Sequence, residues 1–592
     1  MAASRSSRER VFLVTALAFT AITAAAALFW TSRPAPAAAE IRLEIIAPPT
    51  TDPLSLAIAP DGRKLVFTAQ MDGRPKLLIR QLDSTVMRPI AGTDGGTFPF
   101  WSPDSRTIGF FAEGKLKRVD VAGGTPQVLA DAPTGRGGTW NASGDIVFAP
   151  TSFPGPLNRV SATGGEAIPL AAADGPLIQR FPHFLPDGRH FLFYAPAAEA
   201  RARAVYVGSL DSFTPRRLLD ADAAAVFLPP QHILFIRQGK LFAQRFDLTA
   251  LNVVGDPQSV AETVASDSTR FSGGLAAATD MVAYSRQPAE GPRQLRWFDR
   301  TGRLLAIIGE LDADEPFNPE LSPDGTQVVM DRMVGGNRDI WILNSTNGLR
   351  TRFTSDTATD YHAVWSPDGR SIVFSSFRTP TAIARAEAQF YRKASSGAAA
   401  DELFVESSRI KLATDWSRDG RFILFNSVDP KSAYDVWALS VSDHQQLSIA
   451  KSSFEERDGQ FSPDGRWVAY SSNESGRFEV YVQGFPAPRE KLLVSPNGGG
   501  QPRWRRDGRE LFYVAPDSRL MAVPVTLTTQ ARPDIGTVSP LFVARLAGDV
   551  VPGGNKQQYA VSSDGQRFLM NVATEDRPLT PITVILHWKP PL

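Results

Sequence analysis

The chain has 592 residues, more than one ordinary domain, and carries 63 basic against 62 acidic residues for a net charge of +1. That balance gives no global field toward nucleic acid or an acidic surface, and no basic run with interleaved aromatics is present, so nucleic acid is not an expected partner. Cysteine is absent, which removes disulfides, thiolate catalysis and cysteine-based zinc sites together.

Residues 1–10 hold Arg5, Arg8 and Arg10 and precede an uncharged run at 11–30, VFLVTALAFTAITAAAALFW. Twenty helical residues rise about 30 Å, enough to cross the hydrocarbon of a bilayer. The basic flank predicts a cytoplasmic amino terminus, with the remainder outside the cytoplasm, and Trp30 suits the interface. The expected arrangement is one transmembrane helix or signal anchor in a bacterial inner membrane, then a spacer at 31–40. The alternative is a signal peptide cleaved after Ala37-Ala38-Ala39, which leaves the protein secreted or periplasmic.

From residue 41 onward one element recurs. It begins with APDGRKLVF at 59–67, WSPDSRTIGFF at 101–111 and FLPDGRHFLFY at 184–194, with weaker copies at 140–148, 228–236 and 275–284. It continues as LSPDGTQVVM at 321–330, WSPDGRSIVFSS at 365–376, WSRDGRFILF at 416–425, FSPDGRWVAYSS at 461–472, WRRDGRELFY at 504–513 and VSSDGQRFLM at 561–570. Most copies start 39–48 residues apart, with longer steps of 51 and 57, a period that marks propeller blades. Ser366-Pro367-Asp368-Gly369 suits a tight turn, with Pro pre-set in φ and Gly able to take positive φ. The following Ile372-Val373-Phe374 is consecutively apolar, as a strand buried on both faces requires. Further strands follow in DIWILN (339–344), DVWALS (435–440) and EVYVQG (479–484). Asp61, Asp104, Asp187, Asp324, Asp368, Asp419, Asp464, Asp507 and Asp564 are read as turn residues that accept backbone N–H groups, since carboxylates in different blades are too dispersed to share an ion.

Twelve copies are too many for one ordinary ring, so the predicted fold is all-β, with two consecutive six-bladed β-propellers of four-stranded blades at 41–300 and 301–592. Closure is expected from strands that precede each ring. RLLAIIGE at 303–310 completes the last blade, whose third strand is ITVILHW at 582–588. IRLEIIA at 41–47 completes the sixth blade, whose third strand is QLRWFD at 294–299, which puts the boundary near Arg300–Gly302.

The WSPDGR-x-aliphatic-x-Phe repeats resemble those of TolB-like, WD-repeat-like β-propeller proteins. FPFWSPDSRTIGFFAEGKLKRVDVAGG (98–124), LRWFDRTGR (295–303), GQFSPDGRWVAYSSNESGRFEVYVQGFP (459–486), QPRWRRDGRELFY (501–513) and ITVILHW (582–588) are similar to the extracytoplasmic propeller of bacterial receptor Ser/Thr kinases. Only ten residues precede the membrane run, and the Gly-rich loop, VAIK-like lysine, HRD and DFG elements are not found, so the resemblance implies the sensor half without its kinase.

Catalytic signals are lacking too. No G-x-S-x-G nucleophile elbow is found, and none of the six histidines forms a H-x-x-x-H or H-E-x-x-H pair, so neither a cofactor nor a metal is expected. The informative positions lie three residues before the Trp/Phe/Leu/Val of each copy, where the chain enters the central channel. In the second ring these are Asn318, His362, Asp458, Gln501 and Gln558, with Asp415 beside Ala413 in the remaining blade. The first-ring equivalents Phe98, Gly137 and Phe181 are less polar. Convergent polar groups at a channel mouth form a candidate site for an envelope protein, peptide or small molecule, with Asp360 and His362 as the leading pair. The expected function is non-catalytic binding or sensing. The alternatives are a sensor component beside a separate kinase or transport system, and a channel-site metal-dependent hydrolase or lyase.

Overall fold

The computed structural model describes residues 39–590 apart from 49, 51, 72–73, 153–154, 171–177, 197–202, 268–271, 287–291, 315, 335–336, 379–386, 430–431, 488, 528–531, 547–554 and 574–580; before residue 39 it describes Phe12, Val14, Thr15 and Thr20. Those four residues are α-helical, and no helix among the described residues is long and apolar enough to cross a membrane. The expected transmembrane run at 11–30 otherwise lies outside the described residues.

Among the described residues everything else with regular structure is β. The described strands form eleven four-stranded sheets, one five-stranded sheet and one two-stranded sheet, all with antiparallel ladders. The repeated element supplies the first two strands of each blade-like sheet. In the sheet that starts at Asp360–Trp365, the strand Ser371–Ser376 is buried along nearly its whole length, as its apolar run requires. The intervening turn follows its chemistry closely. Gly369 has φ +70° and donates to the Ser366 carbonyl at 2.9 Å, while Ser366 Oγ donates to Asp368 Oδ1 at 2.6 Å. All nine repeat aspartates accept the backbone N–H two residues ahead, at 2.9 to 3.2 Å. They are turn residues.

The inner strands neighbour one another in two closed circuits. The first runs through Leu56–Ile58, Thr97–Trp101, Gly138–Trp140, Arg180–Phe184, Val226–Leu228 and Leu275–Ala278, and returns to Leu56–Ile58. The second runs through Phe317–Leu321, Asp360–Trp365, Lys411–Trp416, Glu456–Phe461, Gly500–Trp504 and Tyr559–Val561, and returns to Phe317–Leu321. Apolar residues from adjacent sheets interlock between each pair, as where Phe390 and Val373 pack on Phe425 and Ile423.

The two sheets that close the circuits differ from the expected arrangement. Ile41–Ile45 is the outer strand of the first closing sheet, as anticipated, but its partner is Ile582–Leu586, which pairs in turn with Met281–Ser285. Arg293–Asp299 instead lies in the second closing sheet, between Leu304–Asp312 and Arg567–Ala573. The two third strands are therefore exchanged, and the division between circuits falls after Ser285 and again after Ala573 rather than near Arg300–Gly302. The physical reason lies in burial. Ile582, Val584 and Ile585 fill the space between Ala283, Leu65 and Phe67 on one side and Val282 and Leu234 on the other. Trp297 and Leu295 pack on Leu569, Val328 and Ile308. Both segments read alike as amphipathic strands, so proximity in sequence did not distinguish their sheets.

Candidate functional site

The three-residue offset read from the sequence corresponds to a β-bulge. Phe98, Phe181, Asn318, His362, Asp458 and Gln501 have φ between +47° and +60°, and Gly137 has +82°. At each of the six non-glycine positions the ladder to the next strand shifts register around the residue, as between Tyr361 and Val364. Left-handed backbone at a non-glycine residue is uncommon and costs of order 1 kcal/mol or more, so its recurrence at the same position in six of the blades marks a constraint at the channel mouth.

In the second circuit these mouth residues bind the chain itself. Asn555, Lys556, Gln557 and Gln558, which lead into Tyr559–Val561, are all buried. Asn318 Oδ1 accepts from the Lys556 backbone N–H at 2.8 Å and from Gln558 Nε2 at 3.2 Å. Gln501 Oε1 accepts the Gln558 N–H at 2.7 Å. Gln557 Nε2 donates to the carbonyls of Asp458 and Pro502 at 3.2 and 3.1 Å, and Lys556 Nζ donates to the Ala363 carbonyl at 2.6 Å and pairs with Glu320 Oε2 at 2.5 Å. The segment plugs the mouth where a ligand was expected, and Gln558 is part of the plug.

Asp360 and His362 are not brought together as a pair. Asp360 Oδ2 accepts from Arg378 Nη2 at 2.8 Å, and burial pushes its carboxyl up to about 6. The His362 N–H donates to both oxygens of Asp331 at 3.2 and 3.3 Å, and its Nδ1 lies 3.3 Å from the Ala413 carbonyl. Asp331 is fully buried, and desolvation pushes it up to about 6. Asp458 is raised for the same reason, with Arg457 Nε 3.5 Å from its Oδ2.

Asp415 belongs elsewhere. It lines a cavity of about 520 Å³ on the opposite face, where the inner strands run out into the Ser-Pro-Asp-Gly turns. The walls of this funnel are Trp297, Trp365, Trp416, Phe461 and Trp504, with Glu320, Asp415 and Arg503 between them and Arg418 and Arg506 near the turns. Asp415 Oδ2 accepts the Phe461 N–H of the next sheet at 2.7 Å. Burial, then the neighbouring Glu320 carboxylate, push its carboxyl up to about 7. Sequence reasoning found Asp415 but missed the rest. The signal was the first residue of the repeat itself, because Trp365, Trp416, Phe461 and Trp504 all occupy that position.

The first circuit has a smaller channel, about 110 Å³, lined by Phe98, Gly137, Phe181 and His183. The rings of Phe98 and Phe181 meet edge to face at 5.4 Å across it. A Cβ at Gly137 would stand 2.6 Å from Phe181 Cδ1, so only glycine admits that packing. A third cavity, about 240 Å³, lies between the circuits, with Phe111 and Arg136 on one side and Tyr434, Glu455 and Arg457 on the other. Among the described residues, no group of three His, Cys, Asp or Glu side chains is placed to hold a metal ion.

Radial four-stranded sheets around central channels define a β-propeller. Residues 313–499 match the TolB beta propeller domain. An uncharacterised protein of Agrobacterium fabrum is 26% identical over 207 residues, 33% of this chain and 68% of its own length. Among solved structures, a provisionally named TolB of Agrobacterium tumefaciens aligns with 48% of this chain and 98% of its own, at 17% identity and a TM-score of 0.38. TolB of Acinetobacter baumannii aligns with 59% of this chain and 79% of its own, at 12% identity and a TM-score of 0.29.

Proposed function

We propose that this protein is a non-catalytic binding protein built from two six-bladed propellers, held at the bacterial inner membrane by residues 11–30 with both rings outside the cytoplasm. The two closed circuits of inner strands support the ring count. The basic residues before the apolar run support the orientation. The motif likeness to receptor-kinase propellers supports a sensing role in the envelope.

The binding surface is the funnel on the turn face of the second ring. One observation carries this reading: a cavity of about 520 Å³ whose walls combine four tryptophans with unlike charges, on strands held rigid by the blades. Aromatic walls with a few fixed polar groups are the usual composition of a recognition pocket, and sites on rigid scaffolds lose little entropy on binding. The bulge residues Asn318, Asp458 and Gln501 hold the plug at the far mouth, of which Gln558 is part, and His362 bonds to Asp331 and Ala413 beside it. Asp360 braces the adjoining blade.

The test is photo-crosslinking in cells. A photoreactive phenylalanine at Arg418 or Arg506 in the full chain should capture an envelope polypeptide, and the same probe in the outer strand Arg350–Arg352 should not. Equal capture from both positions, or none from the funnel, contradicts the assignment.

A further inference from the structure

Two consecutive residues of the inner strand Gly500–Trp504 carry donors that the fold leaves unused. Arg503 Nη2 and Trp504 Nε1 have no hydrogen-bond partner among the described residues, and the two residues are 7% and 8% exposed. Both line the funnel. Arg503 is not mobile there, because its Nε donates to the Tyr559 carbonyl at 3.1 Å and fixes the guanidinium plane. Buried donors without acceptors are rare in folded proteins and call for an explanation.

The charges around them set the sign of the missing partner. Glu320 is paired with Lys556 at 2.5 Å, and Asp324 is committed to its own turn through Ser322 and Thr326. Asp415 is committed to the Phe461 N–H, and burial pushes its carboxyl up toward the neutral form. Arg418 and Arg506 add positive charge at the rim. The uncommitted charge is therefore positive and the unused groups are donors, so the complementary ligand carries an anionic acceptor. A planar guanidinium matches a carboxylate through two parallel N–H bonds. The fork serves a carboxylate or a phosphate alike, and the aromatic walls around it favour the carboxylate of a polypeptide, whose terminal side chain they can receive.

Resting on the funnel as the binding surface, we infer that it receives the free carboxyl terminus of a polypeptide: the carboxylate sits on Arg503 and Trp504, and an apolar terminal side chain lies among Trp365, Trp416 and Phe461.

The experiment uses the purified full-length chain and two pools of tetrapeptides ending in Phe or Leu, one with free carboxyl termini and one amidated, read by affinity selection and tryptophan fluorescence. The acid pool should be retained about tenfold over the amide pool, the size of effect expected when a charge-assisted bond is lost. Arg503→Met should remove that preference. Arg418→Ala, at an exposed rim position, should weaken acid binding by about threefold without perturbing the fold. Equal retention of the two pools would overturn the carboxylate assignment while leaving the funnel as a binding surface. Displacement of the acids by inorganic phosphate at lower concentration than by acetate would overturn it in favour of a phosphate ligand. Retention of neither pool would overturn both readings.

Discussion

The two rings solve the same structural problem with opposite chemistry. At the channel mouth of the first, Phe98 and Phe181 close the opening with an aromatic contact and a small cavity remains. At the same bulge position the second ring has Asn318, His362, Asp458 and Gln501, and of these Asn318, the Asp458 carbonyl and Gln501 hold a buried polar segment, 555–558, inside the channel. An apolar closure is satisfied by contact alone, whereas a polar one must be satisfied bond by bond. The difference teaches that polar residues at a mouth do not by themselves mark a ligand site. In this chain they largely bind the chain, while the unused donors of Arg503 and Trp504 lie at the other face.

The exchange of third strands ties the rings together, and breaking it should have the largest effect. Removal of 582–592 takes the buried strand Ile582–Leu586 out of the first ring, although that segment follows the whole second ring in sequence. Hydrogen exchange should show lost protection in Met281–Ser285 and Lys64–Met71, while Ser371–Ser376 and Phe422–Asp429 keep theirs. Loss of protection confined to the second ring would contradict the exchange.

Next in size is the plug. Lys556→Met leaves Glu320 without its buried partner, and breaking such a pair costs about 3–5 kcal/mol. Denaturant unfolding should show this loss in the second ring, with the first ring's midpoint little changed.

Acid should then separate the rings by sign. Asp415 is pushed up to about 7, so between pH 4 and 7 the folded state holds a proton that the unfolded chain releases. The second ring therefore gains stability as pH falls through that window, and Asp415→Asn should reduce the gain, with the raised carboxyls of Asp331 and Asp360 supplying the remainder. His183, in the wall of the first channel, is lowered to about 4 by burial. There the unfolded chain binds the proton first, so the first ring loses stability as pH falls from about 6.5 to 4. Denaturant melts at pH 5 and pH 7.5, with ring-specific exchange probes, would detect the opposite slopes. The smallest effect belongs to a turn: Asp368→Ala removes two hydrogen bonds at the surface, from Ser366 and Arg370, and should cost about 1 kcal/mol in either assay.

Much of this architecture was legible in the sequence because its determinants are local. The turn in Ser366-Pro367-Asp368-Gly369 and the apolar run after it belong to a few contiguous residues, and the structure places them as their chemistry requires. The bulge offset was legible for the same reason. The closing strands were only half legible: Ile41–Ile45 and Leu304–Asp312 stand at the expected outer edges, but their neighbours follow from burial hundreds of residues away. The site divided likewise. Asp415 lies in the funnel, whereas Asn318, Gln501 and Gln558 turned inward to one another, because a sequence does not reveal which polar group will find a partner in its own chain.

The central claim is that the second ring binds through its turn face. Hydrogen exchange on the full-length protein, with and without the carboxyl-terminated peptide pool, tests it most directly. The account predicts added protection in Lys411–Trp416 and Gly500–Trp504, with Thr97–Trp101 and Arg180–Phe184 unchanged. Protection that appears in the first ring's inner strands instead would contradict it.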